Sequence, residues 1–188
     1  MKRLCVFCGS RTGAAPIYAE QTRALGEAMV RCGFGLVFGA GHIGLMGVLA
    51  DAVRAHGGET IGVIPRSLVE RELAHQQLTD LRIVESMHDR KALMAEMADG
   101  FLALPGGFGT LDEFFEILTW AQLKFHHKPI GLLNTAGFYD PLLAWIERAI
   151  ADDFVKAKNR GLMIVESEIE RMLDRLAESP GTAVPGLS

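Results

Sequence analysis

The sequence predicts an α/β protein of the Rossmann-like, doubly wound class, with a mostly parallel sheet covered by helices on both faces. Short apolar runs alternate along the chain with segments whose apolar residues recur at helical spacing. Such alternation places parallel strands side by side, with their crossover helices above and below the sheet. Glycine-rich segments follow several of the apolar runs, which is where ligands bind in folds of this class.

The predicted elements follow one another with mostly short connections. Strands are predicted at residues 3–7, 35–38, 61–64, 81–85, 101–104, 130–133 and 162–165. Helices are predicted at residues 16–32, 44–56, 89–98, 111–124, 141–151 and 168–177. Pro16 suits the first turn of the first helix, and Gly57 and Gly58 suit the end of the second. We expect one domain over residues 1–178 and a frayed tail, rich in Gly and Pro, at residues 179–188.

Composition argues against several classes of protein. Of the 188 residues, 49% are hydrophobic and 22% charged, and the net charge is −4 with no run of lysine or arginine. This charge balance gives no support for binding to nucleic acid or to an anionic membrane. No apolar stretch has the length of a membrane span, and the first eight residues follow a strand pattern instead of that of a signal peptide. Three cysteines, an odd count, fit reduced thiols in a cytoplasmic protein.

The most informative segment is residues 104–113, LPGGFGTLDE, between the predicted strand at 101–104 and the predicted helix at 111–124. Its three glycines let backbone amides approach a ligand, and a helix start adds unpaired N–H donors that favour an anion. Thr110 suits the N-cap of the helix and carries a hydroxyl that can donate to a phosphate oxygen. Glu113 either closes a capping box with Thr110 or acts chemically beside a phosphate pocket, and we favour chemistry.

A second glycine-rich loop, residues 39–47, contains G-x-G-x-x-G between a predicted strand and a predicted helix. On its own this pattern is weak evidence for a dinucleotide site. Two features argue against a dinucleotide site: the loop follows the second predicted strand, not the first, and the downstream acidic residue is misplaced. This residue, Glu59, precedes the third predicted strand, whereas an acidic residue that binds ribose should lie at the end of that strand. We expect the loop to form one wall of a mononucleotide pocket, with a purely structural turn as the alternative.

Arg90 and Lys91 are predicted to begin a helix, where basic side chains oppose the macrodipole at a cost of about a few tenths of a kcal/mol. Their position against this preference indicates an anionic partner, the alternative being an ordinary solvated charge pair. His126-His127 has no Cys, Asp or Glu at ligand spacing, so we expect a surface loop and no metal. Cys5 and Cys8 are expected on opposite faces of the sheet, which argues against a redox or metal role.

Four segments, in this order, resemble the LOG ("lonely guy") family of cytokinin riboside 5′-monophosphate phosphoribohydrolases. They are CVFCGS at 5–10, GAGHIGLMG at 39–47, MHDRK at 87–91 and PGGFGTLDE at 105–113. One departure is Ala40, where the family usually has a third glycine. We expect its methyl group to narrow the loop slightly and to leave the other glycines in place.

The resemblance implies hydrolysis of the N-glycosidic bond of an adenosine or cytokinin ribonucleoside 5′-monophosphate, with no metal or redox cofactor. It implies that Arg90 and Glu113 are the catalytic pair. The glycine-rich segment and the resemblance together predict substrate-binding residues at Glu72, Lys91, Gly106, Gly107, Phe108, Gly109, Thr110, Leu111, Asp112 and Thr119. The helix at 111–124 is apolar over more of its circumference than one buried face requires, and this feature and the resemblance both predict a homodimer.

Two other functions stay open on the sequence. Rossmann-like proteins of similar signature act as molybdenum-cofactor carriers, so a non-catalytic nucleotide or molybdenum-cofactor binding protein is one alternative. A carrier has no reason to hold an Arg90/Glu113 pair together. Lysine decarboxylase is a label that similar proteins have often carried, but that chemistry generally needs pyridoxal phosphate on a Schiff-base lysine. Nothing around Lys91, Lys124 or Lys128 forms a recognisable site of that kind.

Overall fold

The computed structural model describes residues 2–69, 74–75 and 77–179, and these residues form a seven-stranded parallel sheet with helices on both faces. The strands β1 to β7 are Lys2–Phe7, Phe34–Phe38, Thr60–Pro65, Asp80–Val84, Gly100–Ala103, Ile130–Leu133 and Ile164–Glu166. Their order across the sheet is β4-β3-β2-β1-β5-β6-β7, and each neighbouring pair is parallel. The predicted doubly wound α/β fold is therefore confirmed.

The helices lie in two layers, one on each face of the sheet. In the described residues α1 to α7 are Pro16–Arg31, Gly44–Ala55, Arg66–Val69, Met87–Met97, Phe108–Gln122, Asp140–Ala151 and Ile169–Glu178. The core on one face contains residues of α1, α2 and α7, and the core on the other contains residues of α4, α5 and α6. None of the helices in the described part of the chain is both long enough and apolar enough to cross a membrane.

Strand β1 shows how one apolar run serves both cores. Leu4 and Val6 belong to one core, and Cys5 and Phe7 belong to the other, because successive side chains of a strand point to opposite faces. Cys8 continues the first set, so the two thiols lie on opposite faces as predicted. Burial raises the pKa of both thiols, and each therefore stays protonated.

Two helix starts differ from the prediction. Helix α5 begins at Phe108 with Gly107 as its N-cap, because the extended backbone of that glycine ends the loop earlier than expected. Thr110 therefore lies inside the first turn, so the predicted N-cap at Thr110 is wrong and the alternative of a capping box with Glu113 does not apply. Helix α4 begins at Met87, because the Ser86 hydroxyl oxygen accepts the Asp89 N–H at 3.0 Å and caps the helix. Arg90 and Lys91 thus follow the first turn, and the argument from an opposed macrodipole does not apply to them.

Two predictions fall wholly or mostly outside the described residues. Glu72, predicted to bind substrate, lies in the gap between residues 69 and 74. Helix α7 ends at Glu178, and of the tail predicted to fray only Ser179 is described. The frayed tail stays a prediction.

Candidate active site

The loops after β1, β2 and β5 meet at one edge of the sheet. Strands β1 and β5 are neighbours at the point where the strand order reverses, the position at which doubly wound folds bind ligands. We name residues 39–47 the β2 loop and residues 105–109 the β5 loop. The Gly9 N–H donates to the Pro105 carbonyl at 3.1 Å, and the Leu45 N–H donates to the Gly9 carbonyl at 3.0 Å. A cleft of about 220 Å³ opens between these loops, with Tyr18 and Phe138 on its wall.

Arg90 and Glu113 are brought together across two helices. Arg90 lies on α4 and Glu113 on α5, and both helices pack on the same face of the sheet. Arg90 Nη2 is 3.4 Å from Glu113 Oε1, and each side chain is 11% exposed. Arg90 Nε also donates to the Val63 carbonyl of β3 at 3.2 Å. The pair that the resemblance implied is therefore a nearly buried ion pair held against the sheet.

The surroundings of Glu113 make its carboxylate a stronger proton acceptor than an ordinary glutamate. Burial raises the pKa of Glu113, and the nearby Arg90 charge lowers it in part. Asp112 adds a smaller effect in the raising direction. A raised pKa with a cationic neighbour suits a group that must carry negative charge and also accept a proton.

The start of α5 has room for an anion. A Cβ built on Gly107 or Gly109 would meet no described heavy atom within 4 Å, and Phe108 is 97% exposed. No side chain of the described residues caps the helix, so its first N–H groups remain without side-chain acceptors. The Thr110 hydroxyl lies directly under Gly106, where it occupies the space that a Cβ on this glycine would need. These features are those of an anion site at a helix N-terminus.

Lys91 and Asp112, both predicted to bind substrate, contact each other. Lys91 Nζ is 3.2 Å from Asp112 Oδ2 and 3.0 Å from Glu116 Oε2. Burial lowers the pKa of Lys91, but hydrogen bonds to Glu116 and Asp112 outweigh this effect and the pKa is raised. Lys91 is thus a fixed cation that joins α4 to α5 next to the Arg90–Glu113 pair. Glu116 was not predicted, although it follows Asp112 by one helical turn.

Leu111 and Thr119 line a different surface. They border a cleft of about 420 Å³ on the outer side of α5, together with Phe108, Asp112, Phe115, Glu116 and Trp120. This outer cleft shares no described residue with the cleft between the β1, β2 and β5 loops. Within one subunit, Leu111 and Thr119 therefore do not line the loop cleft, which among the predicted residues only Gly106 and Gly107 border in the described part of the chain.

Two contacts near the site had no signal in the sequence. The buried Tyr139 hydroxyl donates to the Leu104 carbonyl at 2.6 Å and so holds the end of β5 in place. His75 donates its backbone N–H to the Ala40 carbonyl at 2.8 Å, and its Nε2 is 3.1 Å from Asp51 Oδ1. His75 thereby ties the segment after α3 to the β2 loop. Both contacts join residues distant in sequence, which spacing rules do not detect.

The prediction for His126 is wrong. His126 is buried, its Nε2 lies 2.9 Å from the Ile117 carbonyl, and its Nδ1 accepts the Lys128 N–H. Burial lowers its pKa, so the ring is a neutral structural group instead of part of a surface loop. No cluster of three or more His, Cys, Asp or Glu suited to a metal ion occurs in the part of the chain that the structure describes.

A family model and curated relatives both match most of the chain. The family model described as "Possible lysine decarboxylase" matches residues 46–176. The cytokinin riboside 5′-monophosphate phosphoribohydrolase LOG of Oryza sativa subsp. japonica is 45% identical over 177 residues, which are 94% of this chain and 73% of that protein. The Arabidopsis thaliana enzyme of the same description, LOG7, is 43% identical over 177 residues, which are 94% of this chain and 82% of that protein.

A solved structure shares the fold at lower identity. The molybdenum cofactor binding protein from Rippkaea orientalis superposes with a TM-score of 0.71 at 20% identity, over 94% of this chain and 96% of that one. Identity at this level shows a common fold and carries nothing about the ligand. The match to the family model and the identity to the plant enzymes decide the family. The chain belongs to the LOG family of cytokinin riboside 5′-monophosphate phosphoribohydrolases.

Proposed function

We propose that the protein hydrolyses the N-glycosidic bond of adenosine 5′-monophosphate or of its N6-modified cytokinin counterpart. The products are the free base and ribose 5-phosphate. The observation that carries this proposal is the nearly buried Arg90–Glu113 ion pair, with Glu113 one turn inside the helix whose start is open to an anion. The family relationship to enzymes of this description supports the same substrate class.

The proposed reaction breaks the bond between C1′ and the base nitrogen and forms a bond between C1′ and a water oxygen. Bond breaking produces an oxocarbenium-like ribosyl cation, as in glycoside hydrolysis. The Glu113 carboxylate stabilises this cation or accepts a proton from the attacking water, and its raised pKa favours proton acceptance. A guanidinium does not serve as a proton donor in proteins, so the proposed role of Arg90 is to orient Glu113 or to hold the nucleotide. The departing base takes up a proton, which balances the water consumed.

The 5′-phosphate is assigned to the first turn of α5. The amides of residues 106–110 and the Thr110 hydroxyl lie at this helix start, where the open space beside Gly107 and Gly109 leaves room for an anion. Binding energy from the phosphate then places C1′ against Glu113. Lys91 and Asp112 form the ion pair next to this region and are proposed to contact the substrate from there. Family resemblance implies that Glu72 contacts the base or the ribose.

Lysine decarboxylation is less compatible with the lysines of the described residues. The ion pairs of Lys91 raise its pKa, whereas a Schiff-base lysine must lose its proton. Burial lowers the pKa of Lys128, but its Nζ donates to the Ala95 carbonyl at 2.8 Å and caps the end of α4. A carrier function rests on shared fold alone.

Incubation with a panel of nucleotides tests the proposal. We expect chromatography to detect free base from AMP and from N6-isopentenyl AMP. Adenosine lacks the phosphate, so we expect both a lower kcat and a higher KM for it. Comparable kcat/KM for adenosine and AMP would remove the phosphate assignment. No base from any nucleotide, together with tight binding of the molybdenum cofactor, would favour the carrier function.

A homodimer is the assembly that we propose. Large apolar side chains are exposed at both ends of α5 and on α6: Phe108, Leu123 and Trp145 are 97%, 55% and 57% exposed, and Trp145 packs edge-on against Phe115 of α5. Exposed apolar side chains of this size favour burial against a second copy, and a two-fold dimer is the commonest solution. Such an interface would also cover the outer cleft that Leu111 and Thr119 line. A monomer mass by light scattering at micromolar concentration, with full activity, would refute it.

We also place the protein in the cytoplasm. Cys5, Cys8 and Cys32 are free thiols, and Cys32 is exposed. Exposed thiols of this kind persist in reducing compartments. Fluorescence of a tagged chain in the organism of origin tests the location, and an extracellular signal would contradict it.

A further inference from the structure

We propose that Gly39 is a positioning residue, whose missing side chain creates the space in which the Arg90 guanidinium lies against Glu113. Gly39 is the first residue after β2 and begins the β2 loop. A Cβ built on Gly39 would lie 1.7 Å from Arg90 Nη2 and 2.9 Å from Arg90 Cζ. Nη2 is the same atom that stands 3.4 Å from Glu113 Oε1. Because Gly39 has a hydrogen in place of a side chain, Arg90 Nη2 can occupy the position from which it contacts Glu113.

The backbone gives no reason for a glycine at this position. Gly44, in the same loop, has a φ of 64°, and its Cβ would collide with the Ser10 backbone at 2.2 Å. Gly39 is not among the residues with positive φ, and the three described atoms nearest to its Cβ all belong to the Arg90 side chain. Because the obstacle is the end of a flexible side chain, alanine at position 39 would move Arg90 instead of breaking the fold.

The guanidinium is confined on three sides. Gly39 directly follows β2, the Val63 carbonyl belongs to the neighbouring strand β3, and Glu113 lies on α5. Since carbon and nitrogen atoms in contact are about 3.5 Å apart, an alanine Cβ would displace Nη2 by roughly 2 Å. Displacement of a positioned group by this distance lowers turnover by about tenfold or more. Of the two roles proposed for Arg90, we choose the one of orienting Glu113, so the expected defect lies in kcat while phosphate binding at the β5 loop is unchanged.

The activity test rests on the proposed function and compares Gly39→Ala with Gly161→Ala. Gly161 lies far along the chain in the 3₁₀-helix Ala157–Leu162, and its Cβ would meet no described atom within 4 Å. We expect Gly39→Ala to lower kcat for AMP hydrolysis by about tenfold or more with KM within about threefold. The control should retain wild-type values. Wild-type kcat in Gly39→Ala would overturn the proposal.

A double-mutant cycle distinguishes this role from a general structural one. Arg90→Lys removes the Nη2 atom that the new Cβ would meet. In the Arg90→Lys background, Gly39→Ala should therefore change kcat by no more than about twofold, whereas independent sites would show the full loss a second time. A full further loss in that background would show that Gly39 acts through another contact and would overturn the proposal.

The pH profile distinguishes displacement of Arg90 from a loss of packing, because exposure of Glu113 to water would lower its pKa. The charged groups around Glu113 are Arg90, Asp112, Lys91 and Glu116, and Arg90 has the largest lowering effect on its pKa. Displacing Arg90 should raise that pKa further, so the acid limb of kcat should move to higher pH in Gly39→Ala. An acid limb at the wild-type position would contradict the assignment.

The contact between Gly39 and Arg90 can also be tested without an activity assay, so this test holds even if the protein does not hydrolyse AMP. Chemical denaturation of the wild type, Gly39→Ala, Arg90→Ala and the double variant forms a second cycle. We expect Gly39→Ala to destabilise the wild type and to have no effect once Arg90 is alanine. Equal effects in both backgrounds would overturn the assignment whatever the substrate of the protein.

Discussion

The β2 loop and the β5 loop both carry three or more glycines, yet their surroundings differ. In the β2 loop, a Cβ at Gly39 would collide with Arg90, one at Gly44 with the Ser10 backbone, and one at Gly47 with the His42 carbonyl at 2.1 Å. In the β5 loop, Cβ atoms at two of the glycines would meet no described atom within 4 Å. Protein atoms fill the space beside these glycines of the first loop, whereas Gly107 and Gly109 of the second face open space.

This difference separates two reasons for a glycine in a motif. Glycines of the β2 loop allow protein atoms to approach, so substitution there should act on folding or on the placement of Arg90. Gly107 and Gly109 of the β5 loop leave room beside the start of α5, so substitution there should act on a ligand. The G-x-G-x-x-G pattern of the β2 loop resembles a dinucleotide fingerprint, but its glycines serve packing. Four substitutions test this division.

The largest effect on turnover should come from substitution of Glu113, which lies on α5, the helix that follows the β5 loop. Glu113→Gln keeps the size of the side chain but removes the charge that stabilises the cation or activates water. We expect kcat for AMP to fall by about 10²-fold or more, the scale of general acid–base contributions. Circular dichroism of the variant controls for folding. Unchanged turnover would reduce Glu113 to a structural partner of Arg90.

A stability effect should come from Gly44 in the β2 loop. Gly44→Ala places a Cβ 2.2 Å from the Ser10 carbonyl carbon at a φ of 64°. Because backbone atoms cannot move away as a side chain can, we expect a loss of about 2 kcal/mol or more in the free energy of unfolding. Denaturation in urea measures it. A loss below that of Gly39→Ala would contradict the proposed difference between the two positions.

The opposite outcome is expected at Gly109 of the β5 loop. Gly109 lies in the first turn of α5 in open space, and alanine is the better helix former by about 1 kcal/mol. We expect Gly109→Ala to keep or raise the free energy of unfolding and to raise KM for AMP, because the methyl group enters the space assigned to the phosphate. Urea denaturation and initial-rate kinetics give the two values. An unchanged KM would place the phosphate elsewhere.

The smallest effect should come from Ala40. Its φ is 59°, a conformation that costs a residue with a Cβ about 1 kcal/mol. Its methyl group is fully buried against Ile64 and Ala74, however, and burial of one such group contributes about 0.8 kcal/mol. The two terms nearly cancel, so Ala40→Gly should change the free energy of unfolding by less than about 0.5 kcal/mol. A larger change in either direction, by urea denaturation, would show which term dominates.

The burial of Ala40 also corrects an expectation. Its methyl group was expected to narrow the β2 loop, but it belongs to a small cluster with Ile64 and Ala74 and has no exposed surface. It packs toward the segment that follows α3 and not toward a cleft. The side of a loop on which a side chain lies depends on the backbone angles there, and a positive φ at an alanine has no signature in the sequence.

The sequence by itself determined the order of the strands along the chain and the placement of the motifs at strand ends. Hydrophobic periodicity is a local property, so the apolar runs of β1, β2, β5 and β6 were found within a few residues of their observed bounds. Parallel pairing then brings the loops after those strands to one edge, which located the site. Helix starts were less accurate, because Gly107 and Ser86 compete with neighbouring residues for the N-cap.

Only the tertiary structure decided which side chains meet. Family resemblance implied the roles of Arg90 and Glu113, but their contact joins two separate helices. The packing of Arg90 against Gly39 and the ion pair between Lys91 and Asp112 also join separate elements. The burial of His126 and the separation of Thr119 from the loop cleft have the same origin. Contacts of this kind depend on how helices pack on the sheet, and packing is set by the whole set of buried side chains and not by the spacing of residues along one segment.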